Sequence, residues 1–203
     1  MSISRETLGL TPLLLERRPR ALRSLVLDLQ APFELGPLWP ALDRLHTLSL
    51  RGSRHALQLG EVALPALRHL ALEGELRAYA PLLAASLPDL EQVDLQLEDM
   101  KIADVRPLLA RTDLPKLTAL VMARNPFTDD LCRELPESPL GARIKYLRLP
   151  DGMMTDEGAR TFAEGIARLG RPPLEAITVT GNRLSRPGLA SLRTIAKKVV
   201  DDH

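Results

Sequence analysis

A short aliphatic pattern, L-x-x-L-x-L, recurs along the chain and constrains its fold more than any other feature. Its seven copies are Leu22/Leu25/Leu27, Leu45/Leu48/Leu50, Leu67/Leu70/Leu72, Leu90/Val93/Leu95, Leu117/Leu120/Met122, Ile144/Leu147/Leu149 and Leu174/Ile177/Val179. Their first residues are separated by 23, 22, 23, 27, 27 and 30 residues. One such segment cannot bury its own leucines, so several copies must stack. The pattern predicts short strands that pair in a parallel sheet, with one face buried and the other exposed.

Two copies extend the pattern beyond its third aliphatic residue. Asn182 and Leu184 follow the seventh copy, and Asn125 and Phe127 follow the fifth. With these residues, the sequence resembles the leucine-rich repeat family over about residues 22–203. The resemblance implies that the Asn hydrogen-bonds backbone groups where each strand turns into its loop. Elsewhere this column holds Gln30, Ser53, Glu75, Glu98 and Gly152, so we expect an interrupted asparagine ladder and less regular middle repeats.

The segments between the strands predict helices that are longest in the C-terminal half. Thr128, Thr155 and Ser185 each lie 11 residues after a repeat start, where a helix N-cap belongs. Gly158 and Gly188 follow two of them at the same spacing. These repeats resemble the ribonuclease-inhibitor-like subclass, in which full α-helices line the convex face. We expect shorter helices around residues 79–87 and 105–110, and no long helix in the first two repeats.

The resemblance implies an α/β fold for the whole chain: a leucine-rich repeat solenoid shaped as a right-handed horseshoe. Its concave parallel sheet should hold about seven strands, with helices on the convex side. We expect a single domain over residues 1–203, with an N-terminal cap at 1–21, seven repeats at 22–184 and a C-terminal capping helix at 185–203. In the first cap, Thr11 and Pro12 fit the start of a helix.

Composition narrows the class of function. Lys+Arg of 27 against Asp+Glu of 26 leaves a net charge of +1, which argues against a dedicated nucleic-acid binder. The single Cys132 excludes an intrachain disulfide framework and favours a reducing compartment. The start of the chain lacks a signal-peptide pattern, and no segment approaches the roughly 18 apolar residues of a membrane span. We therefore expect a cytoplasmic protein, and the Leu, Ala, Arg and Pro excess suggests a bacterium with a GC-rich genome.

The residue types that carry chemistry are few and scattered. The four histidines, at positions 46, 55, 69 and 203, show no metal-ligand spacing. Cys132 lies beside the apolar stripe of a helix, among acidic residues that would raise the pKa of a thiol. The basic run at 17–20 is short and lacks interleaved aromatics, which favours a solvated cap. We expect a protein that is not an enzyme, with no catalytic residues, no cofactor and no metal.

The concave sheet is where proteins of the resembled family generally hold their ligands. The exposed positions of strands two to four form a polar, mainly acidic patch of Arg51, His69, Glu73, Gln92, Asp94 and Gln96. Strand six adds Tyr146 and Arg148, the residue types most often found as interface hot spots. Ala119, Val121 and Ala123 between them predict a shallow apolar saddle. The alternative is that all of these are ordinary solvated sheet positions.

These expectations combine into a non-catalytic protein–protein interaction module that binds a protein partner through its concave sheet. We expect no nucleic acid and no membrane as partner, and favour a monomer. The resembled subclass implies an alternative: a regulator of an enzyme or small GTPase, of the inhibitor or GTPase-activating type. A targeting part of a larger multidomain system is also open. The sequence leaves the identity of the partner undetermined.

Overall fold

The computed structural model describes residues 2–3, 22–29, 33–52 and 57–202. The predicted N-terminal cap at 1–21, with its helix start at Thr11 and Pro12 and its basic run, lies outside the described residues except for Ser2–Ile3. The chain divides into two compact units: unit 1 is Met1–Asp99 with Asp113–Lys116, and unit 2 is Met100–Thr112 with Leu117–His203. The single domain over 1–203 stays a prediction.

The first four copies of the pattern form parallel strands of unit 1. Five strands lie in the spatial order β1-β2-β4-β6-β7, namely β1 (Ser2–Ile3), β2 (Ser24–Leu29), β4 (Thr47–Gly52), β6 (His69–Gly74) and β7 (Gln92–Leu97). Their register aligns the repeats without a slip, so that Leu25, Leu48, Leu70 and Val93 are neighbours. A small parallel sheet joins β3 (Phe33–Glu34) to β5 (Leu57–Gln58). The predicted parallel sheet is confirmed in this unit.

In the described part of the connecting segments of unit 1, the helices are short, as predicted. A 3₁₀ helix spans Gly36–Ala41, and helix α1 spans Ala80–Ala84. Trp39 in the 3₁₀ helix is 1% exposed, and its indole N–H donates a hydrogen bond of 2.6 Å to the carbonyl of Leu59. This bond ties the first connecting segment to the second.

Unit 2 repeats the arrangement with longer helices. Its parallel strands lie in the order β8 (Ala119–Met122), β9 (Tyr146–Arg148), β10 (Ala176–Thr178) and β11 (Val199–Val200). Its helices are α2 (Ile102–Leu109), α3 (Thr128–Glu134), α4 (Asp156–Arg168) and α5 (Arg186–Arg193). Helix α4 has 13 residues and packs between α3 and α5. The longest described helix lies in the C-terminal half, as predicted. The prediction that the helix of the fourth repeat is shorter than those that follow is wrong for α3 and α5: α2 has 8 residues, as many as α5 and more than the 7 of α3. None of the described helices combines the length and apolar character needed to cross a bilayer.

The predicted capping helix over 185–203 is wrong beyond Arg193, where helix α5 ends. Val199 and Val200 instead form β11, a parallel strand beside Ile177 and Thr178. The amide of Ile177 donates to the carbonyl of Lys198 at 2.9 Å. β-Branched residues favour strands, and the sheet offers these valines backbone partners that a further helical turn would lack.

One of the three predicted N-caps is also wrong. Thr155 caps α4 by accepting a bond from the Gly158 amide, and Ser185 occupies the N-cap position of α5. Thr128 is instead the first residue of α3, and its hydroxyl donates to the main-chain and side-chain oxygens of Asn125, both at 2.9 Å. The hydroxyl of Thr128 is therefore bonded to Asn125 and does not cap the helix.

Candidate partner-binding face

One face of each sheet carries the aliphatic columns and is buried, while the side chains between those columns point to the other side. We call this other side the open face of each unit. In unit 1, Leu25 is 2% exposed and its chain neighbour Val26 is 39% exposed. Parallel sheets ordinarily have both faces covered, so a solvent-accessible face is a feature to be explained.

The open face of unit 1 brings together the six polar residues predicted for the strands of the second, third and fourth repeats, which are β4, β6 and β7. Its members are Ser24, Val26, Asp28, Thr47, Ser49, Arg51, His69, Ala71, Glu73, Gln92, Asp94 and Gln96. One row across the strands reads Asp28, Arg51, Glu73 and Gln96, which places charged groups of both signs side by side. Arg51 is exposed, and the other five predicted residues are half-buried.

Arg51 and Glu73 form an ion pair across β4 and β6. The Nη2 and Oε2 atoms are 2.6 Å apart, and the hydrogen bond to Glu73 raises the pKa of the Arg51 guanidinium. Both side chains remain accessible to water, at 60% and 33%. Such a pair contributes at most about 1 kcal/mol to stability, so its main effect is to orient the two groups.

His69 is a packed part of the same face. Its Nε2 atom is buried and has no hydrogen-bond partner among the described residues. Leaving a buried polar atom unpaired costs about 1–3 kcal/mol. The imidazole is therefore not a freely solvated side chain.

A cavity of about 310 Å³ opens at the carboxyl end of β2, β4, β6 and β7. It is lined by Asp28, Arg51, Gly52, Glu73, Gly74, Glu75 and Glu98. Among the described residues of this lining, four carry a carboxylate and one carries a guanidinium. The sequence pattern points to Arg51 and Glu73 here, but it does not identify Asp28, Glu75 or Glu98 as parts of a site.

Two glycines keep the floor of this cavity free of side chains. Gly52 and Gly74 are register neighbours on β4 and β6. Gly74 has a φ of +88°, and a Cβ atom there would lie 2.5 Å from the carbonyl oxygen of Gly52. A glycine is required at Gly74 by both the backbone angle and the close approach. The cavity floor is consequently bare backbone.

The open face of unit 2 is aromatic and weakly charged. Tyr146 and Arg148 lie on it, with Tyr146 46% exposed between Ala119 and Ala176 of the adjacent strands. Its members are Ala119, Val121, Tyr146, Arg148, Ala176 and Thr178. Because its strand neighbours are alanines, the ring of Tyr146 stands clear of the sheet.

The predicted apolar saddle beside Tyr146 is wrong for two of its three residues. Val121 is 4% exposed and Ala123 is 8% exposed, so neither offers contact area. Only Ala119 remains half-buried.

Charged side chains on the helices of unit 2 form ion pairs with one another. Arg106 of α2 forms a two-pronged ion pair with Glu134 of α3, with N–O distances of 2.9 and 2.8 Å. Arg160 of α4 pairs with Glu157 and Glu164 of the same helix. In each of these pairs, the charge of the arginine is matched by at least one carboxylate on the same surface.

Groups that could perform chemistry do not converge in the described part of the chain. No set of three or more His, Cys, Asp or Glu side chains there is placed to hold a metal ion. Cys132 is buried in α3, and burial, with Asp129 as a lesser cause, raises the pKa of its thiol. A thiol with a raised pKa is a poor nucleophile, which agrees with a packing role for Cys132.

Comparison of the chain with protein-family models and with curated proteins finds no match. Among solved structures, it is similar to a crystal structure of a Bacteroides fragilis protein determined by a structural genomics consortium. The TM-score is 0.65 at 23% sequence identity, over 83% of this chain and 50% of that one. The chain thus spans about half the length of this neighbour. At that identity the likeness shows the fold alone, an α/β arrangement with a parallel sheet.

Proposed function

We propose that the chain is a leucine-rich repeat protein that binds a protein partner through its open face and catalyses no reaction. The family assignment is supported by the seven aliphatic copies, each of which coincides with a parallel strand. It is also supported by Asn182, whose side-chain amide donates to the carbonyls of Leu149 at 2.6 Å and Val179 at 3.0 Å. Asn125 makes the matching bond to Met122 at 2.8 Å. These are the contacts that the family resemblance implies for this column.

The observation that carries the binding proposal is the accessibility of the open face. When this face of a parallel sheet is left uncovered, apolar side chains such as Val26 and Tyr146 are exposed to water, which is unfavourable. Tyr146 and Arg148 are adjacent residues of this face in unit 2, and their types dominate binding energy at protein interfaces. We place the protein in a reducing, cytoplasmic compartment, which its single buried cysteine supports.

Affinity capture with matched variants tests this proposal. Immobilised wild-type protein, Tyr146→Ala/Arg148→Ala and Arg160→Ala/Arg168→Ala are incubated with lysate of the source cell. The third protein is the control, because it removes two arginines from the helical surface of the same unit. We expect one dominant protein to bind the wild type and the control and to be lost with the open-face variant.

Circular dichroism melts verify that all three proteins fold equally well. Amide hydrogen exchange of the captured complex then locates the contact. Retention of the partner by a folded Tyr146→Ala/Arg148→Ala variant, with protection confined to the helices, would refute the open face as the binding surface.

A further inference from the structure

We propose that two copies of this chain associate by pairing strand β11 with itself, in antiparallel order, about a two-fold axis at Val200. We call residues 198–202, Lys-Val-Val-Asp-Asp, the edge segment. Such a dimer goes beyond the proposed binding of a protein to the open face. It also replaces the monomer that we expect from the sequence.

Strand β11 lies at one end of the strand order, and its strand neighbour among the described residues is β10. The amides of Ile177 and Val179 donate to the carbonyls of Lys198 and Val200, at 2.9 and 2.8 Å. Successive residues of a strand direct their backbone groups to opposite sides. The amide and carbonyl of Val199 therefore point away from β10, where an added strand would bond them.

The direction of these backbone groups restricts the register of an added copy. In an antiparallel pair, two residues that lie directly opposite must both direct their backbone groups toward each other or both direct them away. Val199 faces outward and Val200 faces β10, so Val199 cannot lie opposite Val200 of the second copy. A two-fold axis at Val200 satisfies the condition. Each Lys198 then lies opposite Asp202 of the second copy.

Charge complementarity supports this register. Lys198 is exposed, and its ammonium has no ion pair with a described residue. Asp202 is exposed as well, and one of its carboxylate oxygens accepts from the Gly181 amide. A carboxylate accepts several hydrogen bonds, so this contact leaves room for an ammonium. Two Lys198–Asp202 pairs form, one on each side of the axis. The paired segment ends at Asp202, and His203 lies beyond it and outside the described residues.

The backbone also permits a two-fold axis at Val199, but the charges do not favour it. Lys197 would then lie opposite Asp201 of the second copy. The ammonium of Lys197 is already 2.7 Å from Glu175. The side chain of Asp201 is 8% exposed and lies 3.4 Å from Arg193. Neither side chain is placed to meet a second copy.

Lysine at a sheet edge can also prevent pairing, because like charges repel an approaching strand. Repulsion between two copies requires that like charges meet. The edge segment instead has a cation before its two valines and an anion after them. Two-fold symmetry turns this order into attraction, and it places the two Val200 side chains opposite each other on the open face. Pairs of β-branched side chains across neighbouring strands are favourable.

The contact is small, so we expect a weak dimer. One short strand from each copy buries less than the roughly 1,200 Å² of a stable interface, which indicates a dissociation constant on the order of 10–100 µM. Because the two-fold axis is perpendicular to the sheet, the open faces of unit 2 lie on the same side of the dimer. Two Tyr146 rings would then face a common partner.

Charge-reversed variants of the full chain test the inference. Sedimentation equilibrium at about 5–500 µM, which brackets the expected constant, compares the wild type with Lys198→Asp, Asp202→Lys and the double swap Lys198→Asp/Asp202→Lys. The control is Lys145→Asp, which reverses an exposed lysine outside the edge segment. Lys198→Asp leaves every backbone bond to β10 in place, and circular dichroism melts verify that all variants fold.

We expect the wild type and the control to dimerise equally. Each single reversal should weaken association about tenfold, because two exposed attractive pairs become repulsive. The double swap restores opposite charges across the axis and should recover the affinity to within about threefold of the wild type. A wild type that stays monomeric at about 500 µM would overturn the inference. So would a double swap no better than the single reversals, or equal weakening by the control.

Hydrogen exchange of the Val199 amide, measured by NMR, is an independent second measurement. This amide points away from β10 and gains a hydrogen-bond partner only in the dimer. Its exchange should therefore slow as the protein concentration rises through the dissociation constant, whereas the Val179 amide, which already bonds to Val200, should be protected throughout. Exchange of the Val199 amide that does not depend on concentration would contradict pairing through β11.

Discussion

The carboxylate of Asp129, in the first turn of helix α3, accepts two hydrogen bonds from Thr155, the N-cap residue of helix α4. The backbone amide of Thr155 lies 2.9 Å from Oδ1, and its hydroxyl lies 2.6 Å from Oδ2. One repeat later, Asp156 accepts the same two bonds from Ser185. We call each such contact an aspartate clasp. The two clasps join the start of α3 to the start of α4, and the start of α4 to the start of α5.

Removing the first clasp, between Asp129 and Thr155, should destabilise the protein more than removing an ordinary surface charge does. Asp129→Ala leaves the amide and hydroxyl of Thr155 without their partner, and we expect a loss of about 1–3 kcal/mol in the free energy of unfolding. The control is Asp130→Ala, which breaks an exposed ion pair with Arg133 and should cost less than about 1 kcal/mol. Urea denaturation followed by circular dichroism measures both. Equal losses would show that the clasp contributes nothing specific.

Gly158 is needed because the clasp occupies the space where its side chain would be. A Cβ atom at Gly158 would overlap the carboxylate of Asp129. Gly158→Ala should therefore destabilise the protein, although alanine is favoured over glycine in a helix by about 1 kcal/mol. In an Asp129→Ala background the carboxylate is gone and only the Cβ of residue 129 remains, 3.2 Å from the new atom, so the same change should destabilise the protein much less.

A double-mutant cycle of unfolding free energies checks this coupling. Additive effects of Gly158→Ala and Asp129→Ala would contradict the proposed conflict between the two side chains.

The strands could be predicted because the aliphatic columns of seven repeats leave one consistent alternation of buried and exposed positions. Strand β11 could not, since Leu189, Leu192, Ala196 and Val199 have a spacing that also fits a helix. What decides its conformation is pairing with β10, a contact between residues more than 20 positions apart. The aspartate clasps cannot be predicted from the sequence for a related reason. The Thr-Asp pair at Thr155 indicates a helix start, but not that Asp156 serves the following repeat.

The cavity of unit 1 shows a second limit of sequence reasoning. The loss of asparagine at Glu75 and Glu98 is visible in the sequence and predicts less regular repeats. Whether the replacing side chains turn inward or line a surface depends on the loop backbone, which the repeat pattern does not specify. The repeat pattern does not predict the role of Trp39 either, because this residue lies between the leucine columns and its partner, the carbonyl of Leu59, is 20 residues away.

Acid should weaken the second clasp, between Asp156 and Ser185, in a defined range of pH. The hydrogen bonds from the hydroxyl and then the amide of Ser185 lower the pKa of Asp156 below its ordinary value of 3.8. A lowered pKa in the folded state means that the contribution to stability is complete above about pH 5 and is lost as the pH falls through the folded pKa. The difference in unfolding free energy between wild type and Asp156→Asn should therefore be constant from pH 7 to about 5 and shrink below about pH 4.

Urea titrations at a series of pH values measure this difference. A gap that stays constant down to about pH 2 would mean that the charge of Asp156 plays no part.

Trp39 should be the most sensitive position of the first connecting segment. Trp39→Phe keeps an aromatic ring but removes the indole N–H, leaving the buried carbonyl of Leu59 without its 2.6 Å hydrogen bond. We expect a loss of about 1–3 kcal/mol for the unpaired carbonyl, and Trp39→Ala should lose about 3–5 kcal/mol because it also opens a cavity. Tyr146→Phe, an exposed aromatic position, serves as the control and should change stability by less than about 0.5 kcal/mol. Because Trp39 is the only Trp of the sequence, its variants lack tryptophan fluorescence, and urea unfolding must be followed by circular dichroism. Equal stability of Trp39→Phe and Tyr146→Phe would show that the hydrogen bond to Leu59 does not stabilise the segment.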